Sequence, residues 1–137
     1  MEGESAGAVA VTPRSRALTL VISMVATFVG MRAYLHMSPN TDLTIAGYDI
    51  HHLFTGLILI TIGGIAAVIL PSAHRHARTA LAVFGVGLAL ALDEWLYLIV
   101  TDGTNASYLL PVSFWGGFAA VALAVAYALL LARAVRL

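Results

Sequence analysis

Asp93 and Glu94 stand side by side within Ala80–Val100, a 21-residue apolar stretch that contains no other charge. Two adjacent carboxylates can ligate a cation, hold a proton or answer a buried arginine. In hydrocarbon they are costly, so they must face a bundle interior, a wet pocket or a partner charge, and by default they mark a functional site. His51 and His52 are also adjacent, and Arg32 lies within another apolar stretch. Imidazole and carboxylate together suit Zn, Fe or Mn. Beside an arginine, the same groups suit proton response, because histidine changes charge near neutral pH. The chain has no cysteine, which removes thiolate chemistry, and no lysine, which removes Schiff-base chemistry. No spacing matches H-E-x-x-H or Glu-x-x-His, so these residues name no reaction.

The elements that position these groups are membrane helices. Hydrophobic residues make up 61% of the 137 and charged residues 10%, with a mean hydropathy of +0.94. A soluble domain of this size needs more polar surface, so the composition implies an all-α, four-helix transmembrane bundle with the lipid bilayer as its surroundings. A net charge of zero, with no basic stripe, excludes nucleic-acid binding. Residues 1–16 read as a short disordered cytoplasmic tail. Residues 17–137 read as the membrane domain, with spans near 17–37, 48–70, 80–100 and 108–131. The first span has a basic approach like a signal peptide. No A-x-A-like site follows it, however, and it is read as retained.

Loop charges predict the orientation. Arg14 and Arg16 precede the first span, Arg75 and Arg78 separate the second from the third, and Arg133 and Arg136 follow the fourth. The positive-inside rule makes that side cytoplasmic and places both termini there, in a cell membrane. On this topology the polar residues share one depth below the outer face. His51 and His52 fall about 4–6 Å in, Asp93 and Glu94 roughly 9–11 Å, and Arg32 roughly 7–8 Å, at 1.5 Å per residue. His36, Asp49, Thr55 and Tyr97 complete the expected pocket. Tyr34, Tyr48 and Tyr108 ring it nearer the surface. On a helix, Asp49 and His52 would share a face, as would Asp93 and Tyr97. One member of each adjacent pair is expected to face the bundle centre and the other a neighbouring helix.

Three readings follow. His51, His52, Asp93 and Glu94 bind a divalent metal, Zn, Fe or Mn. Alternatively, the layer is a proton- or ion-responsive pocket of a transporter or sensor subunit, with Arg32 compensating Asp93 or Glu94. Finally, it is a structural Arg–carboxylate layer in an assembly partner. The chain is too short for two inverted bundles, so transport would require a homo-oligomer or a membrane partner. The stretches Tyr48-Asp-Ile-His-His-Leu-Phe-Thr-Gly56 and Gly85-Val-Gly-Leu-Ala-Leu-Ala-Leu-Asp-Glu-Trp95 resemble a pairing seen in small uncharacterised prokaryotic multi-pass membrane proteins. That resemblance implies weight on His51, His52, Asp93 and Glu94, and no activity.

Overall fold

The computed structural model describes residues 12–38, 44–45 and 48–135, the side chains of 44, 45, 48 and 49 excepted. The elements are α1 (Pro13–Met37), β1 (Thr44–Ile45), β2 (Tyr48–Asp49), α2 (His52–Ile69), α3 (Ala77–Val100), α4 (Asn105–Tyr108) and α5 (Pro111–Ala134). Four of them are long and apolar enough to cross a membrane. The chain is an integral membrane protein with an all-α, four-helix architecture. At 1.5 Å per residue, α2 is about 27 Å long and the other three about 36–38 Å, against a hydrocarbon thickness of ~30 Å.

Helix starts differ from the hydropathy pattern for local reasons. α1 begins at Pro13, four residues before Ala17, so residues 13–16 of the expected tail are helical. Thr12 accepts a hydrogen bond from the Ser15 amide at 3.2 Å, and proline at the first helical position loses no useful N–H. α2 begins at His52, four residues after Tyr48, because Tyr48 and Asp49 pair antiparallel with Ile45 and Thr44. His51 is therefore extended, with φ −56° and ψ 143°. α5 begins at Pro111, because a proline drives the residue before it out of the helical region, and Leu110 has ψ 149°. Tyr108 thus sits on the one-turn α4 and not on the fourth span.

α3 is the hub. It packs against α1, α2 and α5, whereas α2 packs chiefly against α3. Ten α3 residues are buried, against two on α1 and two on α2. Met24, Phe28, Ala89 and Val121 form the core where α1, α3 and α5 meet. The α2–α3 seam depends on absent side chains. A Cβ on Gly56 would lie 2.7 Å from the Gly87 carbonyl, and one on Gly87 would lie 2.6 Å from the Gly56 carbonyl. Small residues at such a crossing let two backbones touch, which is how helices associate in lipid. Ala80, Gly87 and Glu94 recur every seven residues on α3, so the stripe that seats α2 ends at a carboxylate. At the opposite end of the bundle, Arg78 donates to Ser15 Oγ at 2.9 Å and ties the starts of α3 and α1 together. Arg14, Arg16, Arg75, Arg78 and Arg133 all belong to that basic end; Arg136 lies outside the described residues. Asp93 and Glu94 lie toward the other, distal end.

Candidate functional site

Arg32, about 7.5 Å before the end of α1 at 1.5 Å per residue, reaches across the distal core to α3. Its Nε donates to Asp93 Oδ1 at 2.8 Å, and Nη2 stands 2.6 Å from the same oxygen. The remaining guanidinium donors are also used. Nη1 donates to the Tyr108 carbonyl at 3.2 Å, and Nη2 to the Ser113 carbonyl at 3.0 Å and Ser113 Oγ at 3.3 Å. The Tyr108 ring lies 4.2 Å from the guanidinium carbon, with Phe28 and Phe114 each at 5.7 Å. This planar cation is held by carboxylate, carbonyls and aromatic faces together, a role suited to arginine. α5 can approach because position 117 is glycine: a Cβ there would meet Asp93 Oδ1 at 2.5 Å.

Asp93 and Glu94 diverge as adjacent helical residues do, and both are buried. Asp93 turns toward α1 and α5. Its Oδ2 accepts from the Tyr108 hydroxyl and faces His52 Nε2 at 3.4 Å. Glu94 turns toward α2, where Oε2 accepts from the Leu53 amide at 2.7 Å. No side chain of its own caps α2, so a carboxylate from α3 supplies both the acceptor and the negative charge that a helix N-terminus favours. Glu94 Oε1 faces His52 Nδ1 at 3.2 Å and His51 Nδ1 at 3.4 Å. Both histidines reach one carboxylate because His51 is extended and escapes the divergence of neighbouring helical positions.

Of the residues expected at the site, the fold brings together Arg32, His51, His52, Asp93, Glu94 and Tyr97. Tyr97 is buried, donates to the Thr104 carbonyl at 2.9 Å and sets its ring against those of His51 and Tyr108. His36, one turn beyond Arg32, is exposed and stands outside the cluster. Thr55 is half-buried and bonds to none of the cluster's side chains. Asp49 lies in β2 and not on the helix, so the expected Asp49–His52 helical face does not form; its side chain lies outside the described residues. Among the described residues no group of three or more His, Asp or Glu side chains is arranged to surround a metal ion. Every buried side-chain polar atom among them has a hydrogen-bond partner.

Sequence reasoning set Tyr108 in the ring nearer the surface and not against Asp93, and it missed Ser113. Pro111 was the available signal: it places the helix start after Tyr108 and puts Ser113 in the first turn of α5. Burial, followed by the neighbouring Asp93 charge, pushes the Tyr108 phenol far above its ordinary value of 10.0. The neutral phenol is the form that can donate to Asp93. No protein-family model, curated protein or solved structure matches this chain.

Replacing Arg32 with Met strands the Asp93 charge and should cost roughly 3–5 kcal/mol of stability. Adding Asp93→Asn should restore much of that loss, whereas adding Glu94→Gln should not, because the arginine partner is Asp93. Unfolding free energies of the single and double variants measure this coupling; equal rescue by both second substitutions would refute the pairing.

Tyr108 generates an alkaline signature. Its folded value is raised, so its contribution to stability is complete below the ordinary value of 10.0 and declines as pH rises above it. The folded protein and its Tyr108→Phe variant should gain the same phenolate absorbance at about pH 10–11, where free tyrosine ionises. One extra phenolate in the parent would show that Tyr108 titrates normally.

Proposed function

We propose that this chain is a proton-responsive integral membrane protein in which Arg32, His52, Asp93 and Glu94 share one dissociable proton and couple it to the docking of α2 on α3. The observation that carries this reading is the placement of His52 between two carboxylates, Nε2 on Asp93 and Nδ1 on Glu94. A neutral imidazole has a single N–H. Satisfying both contacts takes a second proton, on the ring or on a carboxyl group.

Charge counting gives the direction. The groups facing His52 are Asp93 and Glu94 from α3 and Tyr108 from α4, with Arg32 from α1 behind Asp93. His51 precedes α2, and Tyr97 lies behind it. With the extra proton, and with His51 and the phenols neutral, one arginine and one further positive charge balance two carboxylates. Without that proton the cluster keeps one net negative charge in a low-dielectric setting, which is unfavourable. The His52 contacts then weaken, and α2 is held at this end by the Glu94–Leu53 hydrogen bond and the glycine seam. A site of this kind suits a transporter or sensor subunit. At this length it would work as a homo-oligomer or with a membrane partner. The arginine distribution supports cytoplasmic termini and a distal end on the outer side of the cell membrane.

In bilayer discs, proton loss from the cluster should lower the stability of the parent, and His52→Gln should weaken that response. The same melts are to be run with Zn²⁺, Mn²⁺ or Fe²⁺. Saturable stabilisation that needs His51, His52, Asp93 and Glu94 would replace this reading with a divalent-metal site. A parent indifferent to both pH and metal would leave a purely structural layer.

Orientation has its own measurement. Because the chain lacks cysteine, Asn40→Cys in whole cells should react with an impermeant thiol reagent added outside, and His76→Cys should not. Reversed labelling would put the cluster on the cytoplasmic side.

A further inference from the structure

The end of the bundle opposite the ionic cluster is built from unmatched positive charge. Arg14 and Arg16 lie in the first turn of α1, Arg78 in the first turn of α3, Arg75 in the loop before it and Arg133 in the last turn of α5. Arg16 is half-buried and the other four are exposed. The acids among the described residues, Asp49, Asp93, Glu94 and Asp102, all lie toward the distal end. No carboxylate among the described residues therefore answers these arginines; Glu2 and Glu4 lie outside them.

A bias of loop charge can orient a membrane protein without the arginines meeting one another. Here three of them are gathered. Arg78 reaches from α3 to α1, where its Nη2 donates to Ser15 Oγ at 2.9 Å. Arg14 and Arg16 flank Ser15 in the chain, and their side chains leave α1 about 100° to either side of it. The bond to Ser15 fixes Arg78 while using one of its five N–H donors. Like charges brought together repel, and an anion between them relieves that repulsion. Two helix starts add to the same field, and α3 has neither a side-chain cap nor an acid in its first turn. Depth narrows the identity of the anion. α1 and α3, at about 36–38 Å, exceed the ~30 Å of hydrocarbon, so their first turns reach the layer where lipid phosphates lie.

We propose that the first turns of α1 and α3 form a seat for the headgroup of an anionic phospholipid, with Arg14, Arg16 and Arg78 as donors to its phosphate and Ser15 holding Arg78 in place. Guanidinium suits this role because its planar fork matches two phosphate oxygens at once. The lipid's acyl chains would lie along the apolar sides of the two helices, which already face the bilayer. Ser15 is a positioning residue: it carries no charge to the lipid and acts through Arg78. The seat is independent of the proton reading, since it lies at the other end of the bundle from His52.

The affinity of the first bound lipid tests the seat. Native mass spectrometry of the full chain in detergent, titrated with phosphatidylglycerol or phosphatidylcholine, gives that dissociation constant for each. The parent should bind the first phosphatidylglycerol at least about fivefold more tightly than phosphatidylcholine. Arg78→Gln or Arg14→Gln should weaken phosphatidylglycerol about fivefold and leave phosphatidylcholine unchanged. Arg133→Gln, which removes the same charge from the same end, should have a clearly smaller effect. Ser15→Ala leaves every charge in place yet should weaken phosphatidylglycerol measurably, which a merely diffuse positive field would not do. Glycerol 3-phosphate, a phosphate without acyl chains, should not compete at the same concentration. Equal losses for Arg78→Gln and Arg133→Gln, or no effect of Ser15→Ala, would replace the seat with a diffuse positive surface. Competition by glycerol 3-phosphate would assign it to a soluble anion. A parent that gains its preference only on Glu2→Gln with Glu4→Gln would assign it to the chain's own leading segment, and a parent with no preference in either form would end the proposal.

Discussion

A single buried ion pair between two of the apolar helices organises this molecule. Arg32 and Asp93 come from helices 61 positions apart in sequence, and neither charge is tolerable there alone. Their mutual attraction does not by itself cover the cost of dehydrating both, so the remaining lone pairs and protons must be satisfied in place. The fold does this with the Tyr108 hydroxyl and carbonyl, the Ser113 carbonyl and hydroxyl, and the aromatic faces around the guanidinium. Each of these demands fixes a helix: α5 must start where Ser113 faces inward, and the α3–α5 connection must carry Tyr108 back over the pair.

Glu94 performs a different task from its neighbour. A helix ending within a membrane leaves amides that water cannot reach, and each unsatisfied group is expensive. α2 starts level with the ionic cluster, and Glu94 accepts its Leu53 amide. The seven-residue recurrence of Ala80, Gly87 and Glu94 makes the cap and the glycine seam parts of one surface. Sliding α2 by a turn would lose the Gly56–Gly87 fit and the cap together.

Much of this was legible in the sequence. Four apolar stretches gave the helices, since hydropathy over ~20 residues reports the lipid environment directly. The shared depth of Arg32, Asp93, Glu94 and the histidine pair followed from counting residues along antiparallel spans. What counting missed was local. Tyr48 and Asp49 read as helical because they adjoin an apolar run, yet strand pairing with residues a few positions earlier removes them from it. Tyr108 read as interfacial, as tyrosines near span ends often are, and only the proline break three residues later places it over Asp93. Which carboxylate meets Arg32 was also beyond the sequence, because it depends on how α3 is rotated about its axis.

The dependence of α2 on α3 has a consequence for biosynthesis. The first two spans leave the ribosome before the third exists. At that stage Arg32 has no counter-charge from Asp93, α2 has no cap from Glu94, and the main surface against which α2 packs has not yet been made. The leading helical hairpin is therefore an unfinished piece of architecture that must be sheltered at the insertion site until α3 arrives. Entry of α3 then settles the charge, the open helix end and the missing neighbour in one step, so assembly of this protein is governed by the order in which its helices are born.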